Sequence, residues 1–182
     1  MKHLQRDLER LTREILAMGA MVEDATARAM EALLDRNASL AQRVIEGDRA
    51  IDLKEIEVEE ECLKLLALHQ PVAADLRFIV AVLKVNNDLE RMGDLAQNIA
   101  ERARMLSTSR SGVEPPADLR GMMEMVQSMV VRCLDALVRV DADVARTVLR
   151  DDEGVDEVHR RMYQSLQERM AKHPDRIPDY IQ

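Results

Sequence analysis

A chain of 182 residues with 47% hydrophobic content is long enough to bury a sizeable core as one or two domains. Aromatic residues make up only 2%, and the apolar mass lies in Leu, Val, Ile, Ala and twelve Met, a mixture suited to packed helices and poor for sheets. Thirty-four acids against twenty-six bases give a formal charge of −8, which argues against a nucleic-acid partner because phosphate contacts demand a basic surface.

The chain opens Met-Lys-His-Leu-Gln-Arg-Asp, a charge pattern unlike a signal peptide. The longest uncharged apolar run, Ile15 to Val22, is too short to span a bilayer, and the bases are dispersed among acids rather than gathered into a membrane patch. A cytoplasmic protein without direct membrane insertion is expected. A first helix is predicted from about Leu4 to Leu34. Asn37 then caps a second helix that continues to about Leu68. Gln70-Pro71 breaks it, and Pro71 suits the first turn of a third helix, with Asp75 near its positive end, reaching roughly Leu106. Residues 107–117, with Ser, Gly and two adjacent Pro, read as a linker. The pattern restarts with a fourth helix from about Asp118 to Arg139 and a fifth from about Asp143 to Lys172. After the turn at His173-Pro174 a sixth element begins at Pro178, and only four residues follow it.

The second half copies the first. A shift of 104 residues brings Met18 onto Met122, Met21 onto Met125, Ala32-Leu33 onto Ala136-Leu137, Val44 onto Val148, Asp48 onto Asp152 and Asp52 onto Asp156. Eleven of thirty-five consecutive positions, 18–52 against 122–156, are identical without a gap, which chance explains poorly. The division is a first repeat over 1–106, the linker 107–117, and a shortened second repeat over 118–182.

Pairs of acids four apart recur within this frame: Asp48/Asp52 on the second helix, Glu90/Asp94 on the third and Asp152/Asp156 on the fifth. At about 100° per residue, Asp48, Asp52, Glu55 and Glu59 project within roughly 60° of one another, beside Ile45, Ile56, Leu63 and Leu66. Glu90 and Asp94 share a stripe with Ile79, Leu83 and Glu101. Carboxylates bordering a core stripe cost several kcal/mol each when desolvated unpaired. Solvent, the bases Arg49, Arg77 and Arg91, or a metal ion would each neutralise them, and duplication of the Asp48/Asp52 pair with its apolar neighbours strengthens the metal reading. An all-oxygen set favours Mg²⁺, Mn²⁺ or iron over zinc. His159 falls opposite Glu55 in the repeat, where it reads as a solvent-facing histidine or, less readily, an outer ligand.

A ferritin-like centre, acting as metal store or metalloenzyme, would need Glu-x-x-His on two helices, and only Asp156-Glu157-Val158-His159 comes close, once. No nucleophile constellation and no Gly-rich phosphate loop is present, so a binding protein is expected rather than an enzyme. The many Met of the first and fourth helices read as adaptable core packing, and Cys62 and Cys133 as buried reduced thiols.

Met18-Gly-Ala-Met-Val-Glu23, Val44-Ile-Glu-Gly-Asp48 with Asp52, Gln70-Pro-Val-Ala-Ala-Asp-Leu-Arg77 and Leu89-Glu-Arg-Met-Gly-Asp-Leu-Ala-Gln-Asn-Ile-Ala-Glu101 together resemble the PhoU family of phosphate-signalling regulators, in order along the whole chain. The resemblance implies an all-α fold of tandem three-helix bundles, here without the last helix of the second. It implies carboxylate-bound metal ions at Asp48, Asp52, Glu90 and Asp94, and at Asp152 and Asp156. It also implies a homodimeric negative regulator of the phosphate-starvation response, coupling the PstB-type ATPase of the phosphate importer to a PhoR-type sensor histidine kinase. Without the sixth helix, Met125, Met129, Leu134, Val144, Val148, Leu149 and Val155 are expected to be covered by self-association or by refitting against the first bundle. The residues after about Pro174 are expected to be poorly ordered.

Overall fold

The computed structural model describes residues 2–109 and 113–181, so positions 110–112 of the expected linker lie outside the described residues. The elements run α1 (Lys2–Leu34), α2 (Ala38–His69), α3 (Ala73–Thr108), α4 (Leu119–Arg139) and α5 (Ala142–Lys172), followed by a 3-10 turn at Pro174–Arg176 and a short α6 (Ile177–Tyr180). The first three helices pack on one another as a bundle, α4 pairs with α5, and α4 also lies against α1.

The apolar positions of α1 recur every three or four residues, so Leu8, Leu11, Ile15, Met18 and Val22 form one buried stripe. Ile51, Val58, Cys62 and Leu65 of α2 and Ile79, Val82 and Leu89 of α3 complete that core. Toward the other end the core is built from Ala29, Ala32, Ala41, Ala96, Ala100 and Ala103 with Leu40 and Val44. Such small side chains allow close interhelical approach.

The duplication extends to the backbone. Arg36 and its repeat equivalent Val140 both end their helices in the left-handed region, at φ 51° and 54°. The next residue in each copy donates its N–H back across the last turn, Asn37 to Ala32 O at 2.9 Å and Asp141 to Ala136 O at 2.8 Å, a Schellman ending. That same residue then caps the following helix. Asn37 Oδ1 accepts from Leu40 N–H at 3.0 Å, and Asp141 Oδ1 accepts from the N–H groups of Asp143 and Val144 at 2.9 and 3.1 Å.

Four expectations from the sequence need amendment. Pro71 is buried ahead of α3 instead of forming its first turn, because Gln70 (φ 44°) and Ala73 (φ 50°) both adopt left-handed backbone to turn the chain, and the helix starts only at Ala73. Cys133 is exposed while Cys62 is buried. The neighbouring Leu134 takes the inward position on α4, and one residue is about 100° of rotation. Burial, with Glu61 and Glu59 nearby, pushes the Cys62 thiol up to about 12. Residues 174–180 are helical, and the Ser109 hydroxyl donates to Asp179 Oδ1 at 2.8 Å. The face of α4 and α5 is covered only in part. Gly19 lets α1 and α4 meet so closely that a Cβ there would stand 2.3 Å from Leu134 Cδ1, and Leu134 joins the core of the first bundle. Val148 is also buried, whereas Leu149 remains 74% exposed.

Val140 is β-branched, 78% exposed and held at positive φ, a conformation costing an L-residue about 1–2 kcal/mol. Val140→Gly is expected to raise stability by about 0.5–1 kcal/mol after the added entropy of glycine in the unfolded chain. Urea denaturation at equilibrium checks this, and an unchanged or lower midpoint contradicts it.

Candidate metal centre

Helices α2 and α3 are joined by the tight turn at 70–72 and pack side by side in opposite directions. Asp48 and Asp52 lie one turn apart on α2, and Glu90 and Asp94 one turn apart on α3. Between the α3 pair stands Gly93, which is buried. A Cβ at Gly93 would come within 3.0 Å of Ile51 Cγ2 and 3.6 Å of Asp48 Oδ1, so the missing side chain is what lets the two acidic turns approach.

The result is a convergence of three carboxylates. One oxygen each from Asp48, Asp52 and Asp94 lie within 4.8 Å of one another. Metal–oxygen bonds of about 2.0–2.6 Å place ligand oxygens of one ion at most about 5 Å apart, so the spacing fits a single hard cation. Asp48 is only 9% exposed, while Asp52 and Asp94 face solvent. Glu90 is half-buried at the margin of this group. Among the described residues no Lys, Arg or His stands within ion-pair distance of Asp48, Asp52, Glu90 or Asp94. Arg91, the nearest base in sequence, pairs with Asp88 at 3.6 Å.

Unpartnered acids this close hold their protons more tightly. Burial, then the charges of Asp52, Asp94 and Glu90, push the Asp48 carboxyl above its ordinary value. Burial, then Asp94, Asp52 and Glu55, do the same for Glu90, only partly offset by Arg91. Glu55 is raised by burial and by Glu59 and Asp52. The three shifts share one cause, burial and like charge, only slightly offset by Arg91.

Two members of the neighbourhood escape a reading by motif. Gly93 has a sequence signal, an isolated glycine inside a helical pattern, which commonly marks close packing. Asn86 is 1% exposed, one turn before Glu90, and donates from Nδ2 to Glu55 O at 2.9 Å and Glu55 Oε1 at 3.3 Å. An amide on the buried stripe of α3 was its signal. Its Oδ1 has no hydrogen-bond partner among the described residues, a condition that typically costs about 1–3 kcal/mol.

The second repeat is arranged differently. Asp152 and Asp156 are exposed on α5, and the described residues place no further acids against them to form a ligand group. His159 is likewise exposed and belongs to no such group, so the paired Glu-x-x-His arrangement of a ferritin-like centre is not assembled among the described residues.

Fold and site together define an all-α protein of duplicated helical units with a carboxylate cluster on the first. The PhoU domain model matches residues 15–103 and again 119–181, and the chain belongs to the PhoU family. It is 37% identical over 174 residues to the phosphate-specific transport system accessory protein PhoU homolog of Aquifex aeolicus, covering 96% of this chain and 78% of that protein. The corresponding Pseudomonas aeruginosa protein is 38% identical over 171 residues, 94% of this chain and 71% of its relative. The crystal structure of PhoU from Pseudomonas aeruginosa superposes with a TM-score of 0.91 at 37% identity, covering 97% of this chain and 85% of that one. The phosphate transport system regulatory protein PhoU from Streptococcus pneumoniae gives 0.85 at 27% identity, over 93% and 79%.

Because Asp48 and Glu90 have raised values in the folded chain, folding is favoured where they are protonated. Metal-free protein is therefore most stable, as far as these groups decide, below the unfolded carboxyl range, and that contribution is lost as pH rises through the folded values. Asp48→Asn removes the repulsion, and is expected to stabilise metal-free protein at pH 7 by on the order of 1 kcal/mol. Thermal unfolding in a chelating buffer at pH 4 to 7 measures both. Destabilisation by the asparagine at neutral pH contradicts the reading.

Proposed function

We propose that the chain is a regulator of phosphate uptake that works by binding, with a divalent or trivalent ion such as Mg²⁺, Mn²⁺ or iron held by Asp48, Asp52 and Asp94, and with Glu90 at its edge. The observation that carries the metal reading is the convergence of three carboxylates across α2 and α3 without a basic partner. Bound there, the ion would supply positive charge and tie the two helices together, and the residues do the rest. Asp48 is the buried anchor, Asp52 and Asp94 close on the ion from opposite helices, and Gly93 sets the distance between them. Asp152 and Asp156 were read from the sequence as a second site; without facing acids they are at most a weak one.

The phosphate reading rests on family membership and on the names of the relatives, an accessory protein of a phosphate-specific transport system and a phosphate transport regulator. By that analogy the partners are the PstB-type ATPase of the importer and a PhoR-type sensor kinase, with the chain acting as a dimeric cytoplasmic adaptor that represses the starvation response. Among the described residues no helix is long and apolar enough to cross a membrane, which agrees with a protein that reaches the transporter through another subunit. Catalysis has no place in this reading.

Isothermal titration with Mn²⁺ tests the site. One ion per chain is expected, with affinity lowered at least roughly 10-fold in Asp94→Asn, since even residues behind the ligands typically matter by 10–100-fold. The double variant Asp152→Ala/Asp156→Ala is expected to bind as the unmodified chain does. Equal losses in both variants contradict assignment to the first repeat. For the partners, the full chain immobilised with and without Mn²⁺ is expected to retain the importer's purified ATPase subunit. Failure to retain either that subunit or the sensor kinase under both conditions contradicts the adaptor reading.

A further inference from the structure

Asn86 is out of keeping with its surroundings. It occupies the buried side of α3 between Val82 and Leu89, where helical periodicity calls for an apolar side chain, and its Oδ1 is unpartnered among the described residues. A buried amide half-satisfied in this way lowers stability relative to an apolar side chain of the same size. Its other half is fully engaged, with Nδ2 donating to both the main-chain carbonyl and the carboxylate of Glu55. Glu55 follows Asp52 by one turn on the same stripe of α2, yet stands outside the three carboxylates that converge.

We propose that Asn86 is a positioning residue for the metal centre. It holds Glu55 back from the ion, as a carboxylate that accepts a hydrogen bond from water on that ion, and so sets the ion's affinity. The inference rests on the metal reading above. Three carboxylate ligands leave positions that small hard cations fill with water, and an acceptor fixed behind such water typically changes affinity by about 10–100-fold.

The test measures Mn²⁺ affinity and metal-free thermal stability of the full chain in parallel, for Asn86→Leu, Asn86→Ala, Glu55→Ala and the double variant Asn86→Ala/Glu55→Ala. Asn86→Leu is expected to bind about 10-fold more weakly while its metal-free stability is unchanged or higher. Glu55→Ala is expected to show a similar loss of affinity, and the double variant to be no weaker than Glu55→Ala, because the amide acts through the carboxylate. Should Asn86→Leu fail to fold, the alanine cycle reads the same coupling. Losses that add, or full Mn²⁺ affinity in an Asn86 variant, overturn the inference while leaving the metal reading intact. Absence of Mn²⁺ binding by the unmodified chain overturns that reading, and the inference with it.

Discussion

Repulsion between carboxylates forced together by close helix packing is the constraint on which the rest of this structure turns. Asp48, Asp52 and Asp94 share a space less than 5 Å across, and Asp48 is largely removed from water. Within an apolar bundle such an arrangement is unfavourable by itself. The bundle nevertheless supports it, because the long stripe of Leu11, Ile15, Met18 and Val22 buries enough apolar surface on the inner side of the same helices to hold α2 and α3 in place. Stability generated on one face of the helix pair is used to maintain a strained charge distribution on the other. A cation is the simplest counterpart, and its binding would couple directly to the packing of α2 against α3.

The same reasoning separates the two repeats. Both carry the Asp-x-x-x-Asp pair at equivalent places, so sequence identity alone would give them equal roles. What differs is the opposing helix. In the first repeat α3 brings Gly93, Asp94 and Glu90 against the pair; the α6 of the second is four residues long and lies instead beside the linker, through Asp179. Among the described residues Asp152 and Asp156 therefore face no second pair of acids, and both stay exposed to water. Meanwhile α4 seats Leu134 over Gly19 of α1, so the second repeat still leans on the first.

Most of the fold was legible because it is written in local signals. Asn37 and Asp141 announce helix starts by side-chain chemistry, the Ser/Pro-rich stretch marks the linker, and period-3.6 apolar stripes mark the core faces. The acids that converge were legible too, since the spacing of four and the break at Gln70-Pro71 suffice to put the two pairs on neighbouring helices. What escaped depends on geometry across helices. No pattern distinguishes Cys62, pointing into the bundle, from Cys133, turned out beside Leu134. Nor does the proline at 71 reveal that left-handed backbone at Gln70 and at Ala73 turns the chain, so that α3 begins only at Ala73. Gly93 and Asn86 carried faint signals, a glycine and an amide in apolar helical context, whose meaning appears only once α2 lies against them.

The central claim is that this cluster is a cation site. Anomalous diffraction from crystals of the full chain soaked in Mn²⁺, collected at the manganese edge, tests it most directly. The account predicts a peak between Asp48, Asp52 and Asp94, with none at Asp152 and Asp156. A map without a peak in the α2–α3 groove, or with a Lys or Arg side chain swung into the carboxylates in its place, would contradict it.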